Sequence, residues 1–221
     1  MISVVPSKRD PSGARTDSLT GVRQVLEDAS GALLALEADP VTDQDIAEAR
    51  GAGLVQVREV LQLRRRLPLD RCSDCHCRPF DPNRDIEGFL AVNNRAFAWH
   101  PDQSDWTTHH LSERMGQRWF STEGFLVHDQ DGTIDAFCWT KVHPATDVDP
   151  QLGEIYVIGV DPAAHGHGLG TQMVLAGLDH LASLGIGTAM LHVESDNRAA
   201  LALYDRLGFH QHSSHQWWAA P

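Results

Sequence analysis

One stretch constrains this chain more than any other: Gly153-Glu154-Ile155-Tyr156-Val157-Ile158-Gly159-Val160-Asp161-Pro162, followed at once by His165-Gly166-His167-Gly168-Leu169-Gly170 and a helical run. It reads as a half-buried strand, a turn at Asp161-Pro162, and a glycine-rich loop opening a helix at about Thr171. Glycines before a helix let the backbone come close to an anion. The first-turn amides, which have no partner inside the helix, then point at it. An acid on the strand and a loop fit to hold a pyrophosphate suggest a cofactor gripped beside a general base. Spacing disfavours two other phosphate loops. A P-loop needs Lys-Ser or Lys-Thr after its glycines, and neither follows here. Gly166, Gly168 and Gly170 stand two apart, a poor fit to the dinucleotide-binding Gly-x-Gly-x-x-Gly. A tight strand-to-helix turn would explain the glycines alone equally well.

The downstream sequence decides more. Leu191 to Glu194 is a short strand, and Asp196 or Asn197 caps a helix with Ala200, Leu203, Tyr204 and Leu207 at helical spacing. Gly208 ends that helix through a left-handed cap, and Phe209 begins another strand. The run Val193-Glu194-Ser195-Asp196-Asn197-x-Ala199-Ala200-x-x-Leu203-Tyr204-x-x-Leu207-Gly208-Phe209 resembles the Gcn5-related N-acetyltransferase (GNAT) superfamily nearly letter for letter. The resemblance implies an α/β fold with a mixed, mostly antiparallel sheet flanked by helices, and acetyl-CoA as cosubstrate. It places Asn197 near the CoA arm and the Tyr204 hydroxyl at the thioester sulfur.

Further fragments narrow the resemblance. Val92 to Gln103, Trp106-Thr107, Trp139-Thr140-Lys141-Val142-His143-Pro144 and Gly153 to Pro162 together resemble the catalytic C-terminal domain of the mycothiol synthase family, over roughly Arg64 to Trp218. Members of that family resemble two fused GNAT domains and acetylate the cysteinyl amine of Cys-GlcN-Ins. Position by position, Glu154 would then take the proton from the substrate ammonium, directly or through a water. Asp102, Lys141 and His192 would hold the pseudo-disaccharide, and Ile158, Gly159 and Val160 would pair with the pantetheine arm. His165, Gly166, His167, Gly168, Leu169, Gly170 and Thr171 would bind the pyrophosphate. Asn197, Arg198, Ala199, Ala200, Leu201 and Ala202 would flank the CoA, and Tyr204 would be the general acid.

The chemistry is consistent with those roles. An alkylammonium does not attack a thioester, and partial burial is expected to raise Glu154 toward neutrality. A strand-bulge amide such as that of Val160 would stabilise the oxyanion, worth about 3 kcal/mol. There are departures too. The family loop opens on Gln or Arg with basic residues, whereas this one carries His165 and His167. Acetyl-CoA binding is therefore expected to be weak and to tighten toward acidic pH. A family Tyr becomes His192, and the acid at Asp102 is usually Glu. A GNAT acting on another amine, or a degenerate CoA-binding module, remain alternatives; the intact Glu154 and Tyr204 pair argues against the second.

Along the chain, residues 1–17 read as disordered, 18–68 as the remnant of a first GNAT domain without its front part, 69–82 as a linker, and 83–221 as a complete catalytic domain. Within these, Leu19 to Ala29 reads as a short helix, Gly31 to Glu37 as a strand, Thr42 to Arg50 as a capped helix and Leu54 to Leu63 as a strand. Ile86 to Phe97 and Trp106 to Gln117 read as helices, the latter capped near Ser104 or Asp105. Strands from Phe125 and Ile134 flank an Asp131-Gly132 hairpin turn, and a last strand covers Gln211 to Trp218.

A net charge of −12 argues against nucleic acid and anionic membranes, and suits a cationic amine. The N-terminus is polar and no apolar run is long enough to span a membrane, so a cytoplasmic monomer is expected. Cys72, Cys75 and Cys77 with His76 invite a metal reading, but zinc sites use two paired knuckles and only Cys138 remains. No metal is expected, and the thiols are expected to be reduced. His210, His212 and His215 are expected on one solvent face of the last strand.

Overall fold

The acid-bearing strand is more enclosed than its sequence suggested. In a computed structural model, which describes residues 22–27, 32–98 and 103–221, all nine residues of the strand Leu152–Val160 are buried. The expected disorder of residues 1–17 lies outside the described residues. The elements are β1 (Val22–Glu27), β2 (Leu33–Asp39), α1 (Asp43–Gly51), β3 (Val55–Arg66), β4 (Cys77–Pro79), α2 (Ile86–Ala96), α3 (Thr108–Met115), β5 (Phe125–Gln130), β6 (Thr133–His143), β7 (Leu152–Val160), α4 (Leu169–Ser183), β8 (Thr188–Glu194), α5 (Arg198–Arg206) and β9 (His210–Ala219). The nine strands among the described residues form one sheet in the order β1-β2-β9-β3-β8-β7-β6-β5-β4. Only β7 and β8 pair in parallel, as the mixed, mostly antiparallel expectation requires.

Two apolar layers sandwich the sheet. On one face, α4 and α5 bury Met173, Val174, Leu178, Leu181, Leu203 and Tyr204 against Cys138, Ile155, Ile158, Leu191 and Val193. The fit of α4 is close: a Cβ on Gly177 would stand 2.5 Å from Cys138 Sγ. On the other face, Phe89 and Val92 of α2 meet an aromatic wall in which Phe125 stacks on Trp139 at 4.3 Å and Phe89 meets Phe137 edge-on at 4.7 Å. Such ring pairs add about 0.5–1.5 kcal/mol each beyond area burial.

The segment expected as a first-domain remnant supplies three strands of this same sheet. β3 lies between β9 and β8, bonded to both. Thr42 caps α1 as expected, with a reciprocal Asp45 capping box. The expected helix over Leu19 to Ala29 is overturned where it is described: Val22–Glu27 is an edge strand paired antiparallel with β2. Sheet pairing overrides a weak local helical pattern there. Within the expected linker, Cys77–Pro79 form the far edge strand on β5, and Cys75 and Cys77 form a disulfide, so those thiols are not both reduced. Cys72 is free and exposed, and Cys138 is free and buried.

α3 starts later than expected, capped by Thr107 rather than Ser104 or Asp105. The Asp131-Gly132 turn is present, both residues having positive φ (52° and 83°). The three histidines of β9 are not all solvent-exposed. His210 and His212 are exposed, whereas His215 is buried and bonds Glu37 Oε1 at 2.8 Å. The bulge at His212 offsets the odd spacing, so His210 lies opposite Arg64 and His215 opposite Val60, on one face of β3, and only His215 is covered there.

Candidate active site

β7 and β8 part company in the middle of the sheet. Their ladder consists of Gly153 opposite Ala189 and Glu154 opposite Met190. Beyond Glu154, no described strand pairs with that edge of β7. On its other edge, β7 stays bonded to β6, with one irregularity: Trp139 lies opposite Val157 and Thr140 opposite Ile155, leaving Tyr156 as an extra residue. The expected bulge therefore exists, but at Tyr156 rather than Val160. A bulge bends and twists its strand, and here it coincides with the place where the two central strands diverge. Ile158, Gly159 and Val160 follow on the unpaired edge, offering backbone groups to a guest strand-like molecule. Gly159 is needed for a packing reason, since a Cβ there would sit 2.7 Å from the Phe137 ring.

Glu154 lies at the fork, fully enclosed. Its Oε2 is 2.7 Å from His143 Nε2 on β6, and its Oε1 is 3.2 Å from His192 Nδ1 on β8. Burial alone would push the carboxyl up. Hydrogen bonds from His143 and His192 outweigh it, holding Glu154 well below the usual carboxylate range. The expected rise toward neutrality is thereby reversed: the sequence shows burial of a strand residue, but not the imidazoles that other strands bring to it. Lys141 lies directly opposite Glu154 on β6. It is buried, with its ammonium 4.8 Å from the Trp119 ring centre and 5.7 Å from that of Tyr156. Asp102 lies outside the described residues.

On the opposite face, Tyr204 of α5 is fully buried in the layer that includes Ile158, Val160 and Leu191. Its hydroxyl makes no hydrogen bond within the described residues. Burial first, then the neighbouring Cys138, raises the phenol above its ordinary value, so it stays protonated. A buried hydroxyl left unpaired costs about 1–3 kcal/mol, and such a group in a native fold calls for an absent partner.

The glycine loop closes the site above. Asp161 caps a short 3-10 turn, Pro162–Ala164, accepting from the Ala163 amide at 3.0 Å. Gly168, at φ 80°, is the N-cap of α4, a left-handed conformation that disfavours other residues. The helix thus starts at Leu169, earlier than expected, and Gly170 and Thr171 sit in its first turn. Val160, His165, Gly166, Gly168, Leu169, Gly170 and Thr171 line a cavity of about 290 Å³, completed by Ala199, Leu203 and Arg206 of α5.

The α5 contribution differs from expectation. Asn197 caps the helix, accepting from the Ala200 amide at 3.2 Å. Ala200 is core, and Arg198, Leu201 and Ala202 do not line the cavity, nor does His167. Positions 199, 203 and 206 share one helix face, whereas the expected run 197–202 circles the helix. Sequence reading missed Arg206, although the three-to-four-residue spacing from Ala199 could have found it. It restores a cation to a loop whose own basic residues are replaced. His165 is committed elsewhere, with its Nε2–H donating to the Val160 carbonyl at 3.0 Å. His143 and Gln62 were also missed, since nothing local marks them as neighbours of Glu154.

Known proteins resemble this arrangement. The acetyltransferase (GNAT) family model matches residues 92–209. A mycothiol acetyltransferase of Kocuria rhizophila is 41% identical over 94% of this chain and 71% of its own length. Another, of Acidimicrobium ferrooxidans, is 49% identical over 75% of this chain and 55% of its own, so the chain spans little more than half of that relative. In fold, a GCN5-related N-acetyltransferase of Sphaerobacter thermophilus superposes with a TM-score of 0.64 at 17% identity, covering 80% of this chain and 56% of that one. A tandem GNAT protein from the clavulanic acid pathway gives 0.55 at 16%, covering 90% and 63%. The chain belongs to the GNAT acetyltransferase family and, within it, to the mycothiol acetyltransferases.

Proposed function

We propose that this chain transfers an acetyl group from acetyl-CoA to the cysteinyl amine of Cys-GlcN-Ins. The observation that carries the reading is an ionised, enclosed carboxylate on one face of the β7–β8 fork and an unpaired phenol on the other, beneath a glycine-loop cavity. The residues suit acetyl-CoA. The first-turn amides of α4 and Arg206 would hold its phosphates, and the free edge of β7 from Ile158 to Val160 would bond its pantetheine arm. Bound there, the thioester supplies an activated acetyl carbonyl.

The protein's own groups do the rest. The Glu154 cluster draws a proton from the substrate ammonium, without which nitrogen has no lone pair to attack. The backbone amides at the Tyr156 bulge face charge developing on the carbonyl oxygen. Tyr204, kept neutral by its apolar surroundings, gives its proton to the departing thiolate. Lys141 and Asp102 would orient the acceptor. Among the described residues, no helix is long and apolar enough to cross a membrane.

The test is incubation of the purified chain with acetyl-CoA and Cys-GlcN-Ins, read by mass spectrometry because the acceptor's own thiol interferes with thiol reagents. A product heavier by one acetyl group, placed on nitrogen by fragmentation, is expected. Absence of N-acetylated product, or preferential acetylation of an aminoglycoside or a peptide N-terminus, would refute it.

A further inference from the structure

The carboxylate at the fork has no free oxygen. Glu154 Oε2 is taken by His143 and Oε1 by His192, and the side chain is 0% exposed, against 3% for His143 and 11% for His192. A group so enclosed can set the properties of the site without meeting the acceptor. Of the three, His192 is the most exposed.

The protonation pattern of His192 is fixed from β3. Gln62, directly opposite His192, has its Oε1 accepting from Arg64 Nε at 2.7 Å. That bond orients the amide, so Gln62 Nε2 is the atom facing His192 Nε2, at 3.3 Å. An amide nitrogen only donates, so His192 Nε2 must accept there. The proton then sits on Nδ1 and is donated to Glu154 Oε1. Arg64 is itself held in place, its guanidinium forked on the Asp149 carboxylate with one arm at 2.9 Å. The chain Asp149–Arg64–Gln62–His192–Glu154 therefore backs the imidazole with a buried carboxylate on Nδ1 and turns its Nε2 lone pair away from that carboxylate, toward the Gln62 amide. A carboxylate that orients an imidazole and stabilises its charged form is the logic by which a histidine becomes an effective base.

We infer that His192, not Glu154, is the group that takes the proton from the acceptor ammonium, and that Gln62 is the positioning residue that keeps its Nε2 unprotonated until substrate arrives. The inference rests on the acetyl-transfer reading above. The 3.3 Å amide contact is at the long end for a hydrogen bond, and a charged N–H donor displaces it. One proton passes from nitrogen to His192 Nε2, and Glu154 balances the imidazolium. The freed amine forms its C–N bond to the acetyl carbon as the C–S bond breaks, and the sulfur takes its proton from Tyr204. The second N–H proton, lost as nitrogen becomes an amide, restores the Tyr204 phenol, and His192 returns its own to water. The charged and titratable groups around the ring are Glu154 on β7, His143 and Lys141 on β6, and Arg64 behind Gln62 on β3.

The experiment compares wild type, His192→Ala, His192→Gln and Gln62→Leu in the full chain with acetyl-CoA and Cys-GlcN-Ins across pH 6 to 9. Both His192 variants are expected to bind acetyl-CoA as wild type does, which certifies their fold, and to lose about 100-fold or more in kcat. Added imidazole should restore part of the activity of His192→Ala but not of His192→Gln, a rescue that a merely structural role would not produce. Gln62→Leu should shift the pH profile with a smaller loss of kcat. If His192→Ala keeps activity within threefold of wild type, or loses it with no rescue at any imidazole concentration, the inference fails while acetyl transfer stands. A wild-type protein that binds acetyl-CoA but acetylates no amine overturns both.

Discussion

Glu154 and Tyr204 are equally enclosed, on opposite faces of one fork, and their titrations move in opposite directions. Glu154 is held ionised below the usual carboxylate range, and Tyr204 is held neutral above the usual phenol range. Burial pushes both toward their neutral forms. What separates them is company: two imidazoles reach Glu154 from neighbouring strands, while the Tyr204 hydroxyl has no bond within the described residues. A base-side group poised to stabilise positive charge and an acid-side group that cannot lose its proton to water are what direct acyl transfer needs.

The comparison breaks most visibly at Glu154. Glu154→Gln keeps the shape but removes the charge that supports an imidazolium, and kcat should fall about 1000-fold. Acetyl-CoA affinity should be unchanged, since the cavity under the glycine loop is formed by other residues. A drop in affinity as large as the drop in kcat would show that Glu154 builds the cofactor site instead.

Tyr204→Phe should cost about 100-fold in kcat. Its effect on stability sharpens the contrast: deleting a buried hydroxyl that lacks a partner should be neutral or stabilising by about 1 kcal/mol in denaturant unfolding. A clear loss of stability would mean that the hydroxyl is bonded in the resting protein.

The two groups should also fail at opposite ends of the pH scale. Glu154 has a folded pKa below the ordinary carboxylate value of 4.5, so its contribution to stability is present above that value and lost as pH falls below it. Tyr204 has a folded pKa above the ordinary phenol value of 10.0, so its contribution is present below pH 10 and lost as pH rises beyond it. The Tm difference between wild type and Glu154→Gln should therefore shrink below pH 4.5. Above pH 10, Tyr204→Phe should lose less stability than wild type. Parallel behaviour of wild type and variant at either end would contradict the corresponding assignment.

The smallest expected effect lies at the cavity. Arg206→Gln should weaken acetyl-CoA about fivefold, with kcat nearly unchanged and a loss that diminishes with added salt, because an exposed cation is screened. Equilibrium binding at two ionic strengths checks this.

Much of the frame was legible in the residues. The Gly153-to-Gly170 stretch predicted strand, turn and helix in the right order, and Thr42, the pair Asp196-Asn197 and Asp131-Gly132 announced two caps and a hairpin that the fold contains, the second cap falling on Asn197. These features are local, set by backbone sterics and by hydrogen bonds spanning a few residues. The misreadings were non-local. Val22–Glu27 looked helical until β2 was available to pair with it. His215 looked exposed until β2 brought Glu37 against it, and the run 197–202 could not reveal which side of α5 would face the loop.

The amino-acid sequence by itself determined the α/β family, the order of its elements, and the identities of a strand carboxylate, a helix phenol and a glycine loop. The order follows from short-range periodicity and capping, and the family from the resemblance of the motifs. Tertiary structure alone decided that Glu154 is ionised, because the imidazoles that hold it so arrive from β6 and β8. It alone decided that residues of β3, far back in the chain, reach the site through Gln62. Pairing in a sheet joins strands with no regard for their distance in sequence, and the charge state of an enclosed group is set by whatever those strands bring beside it.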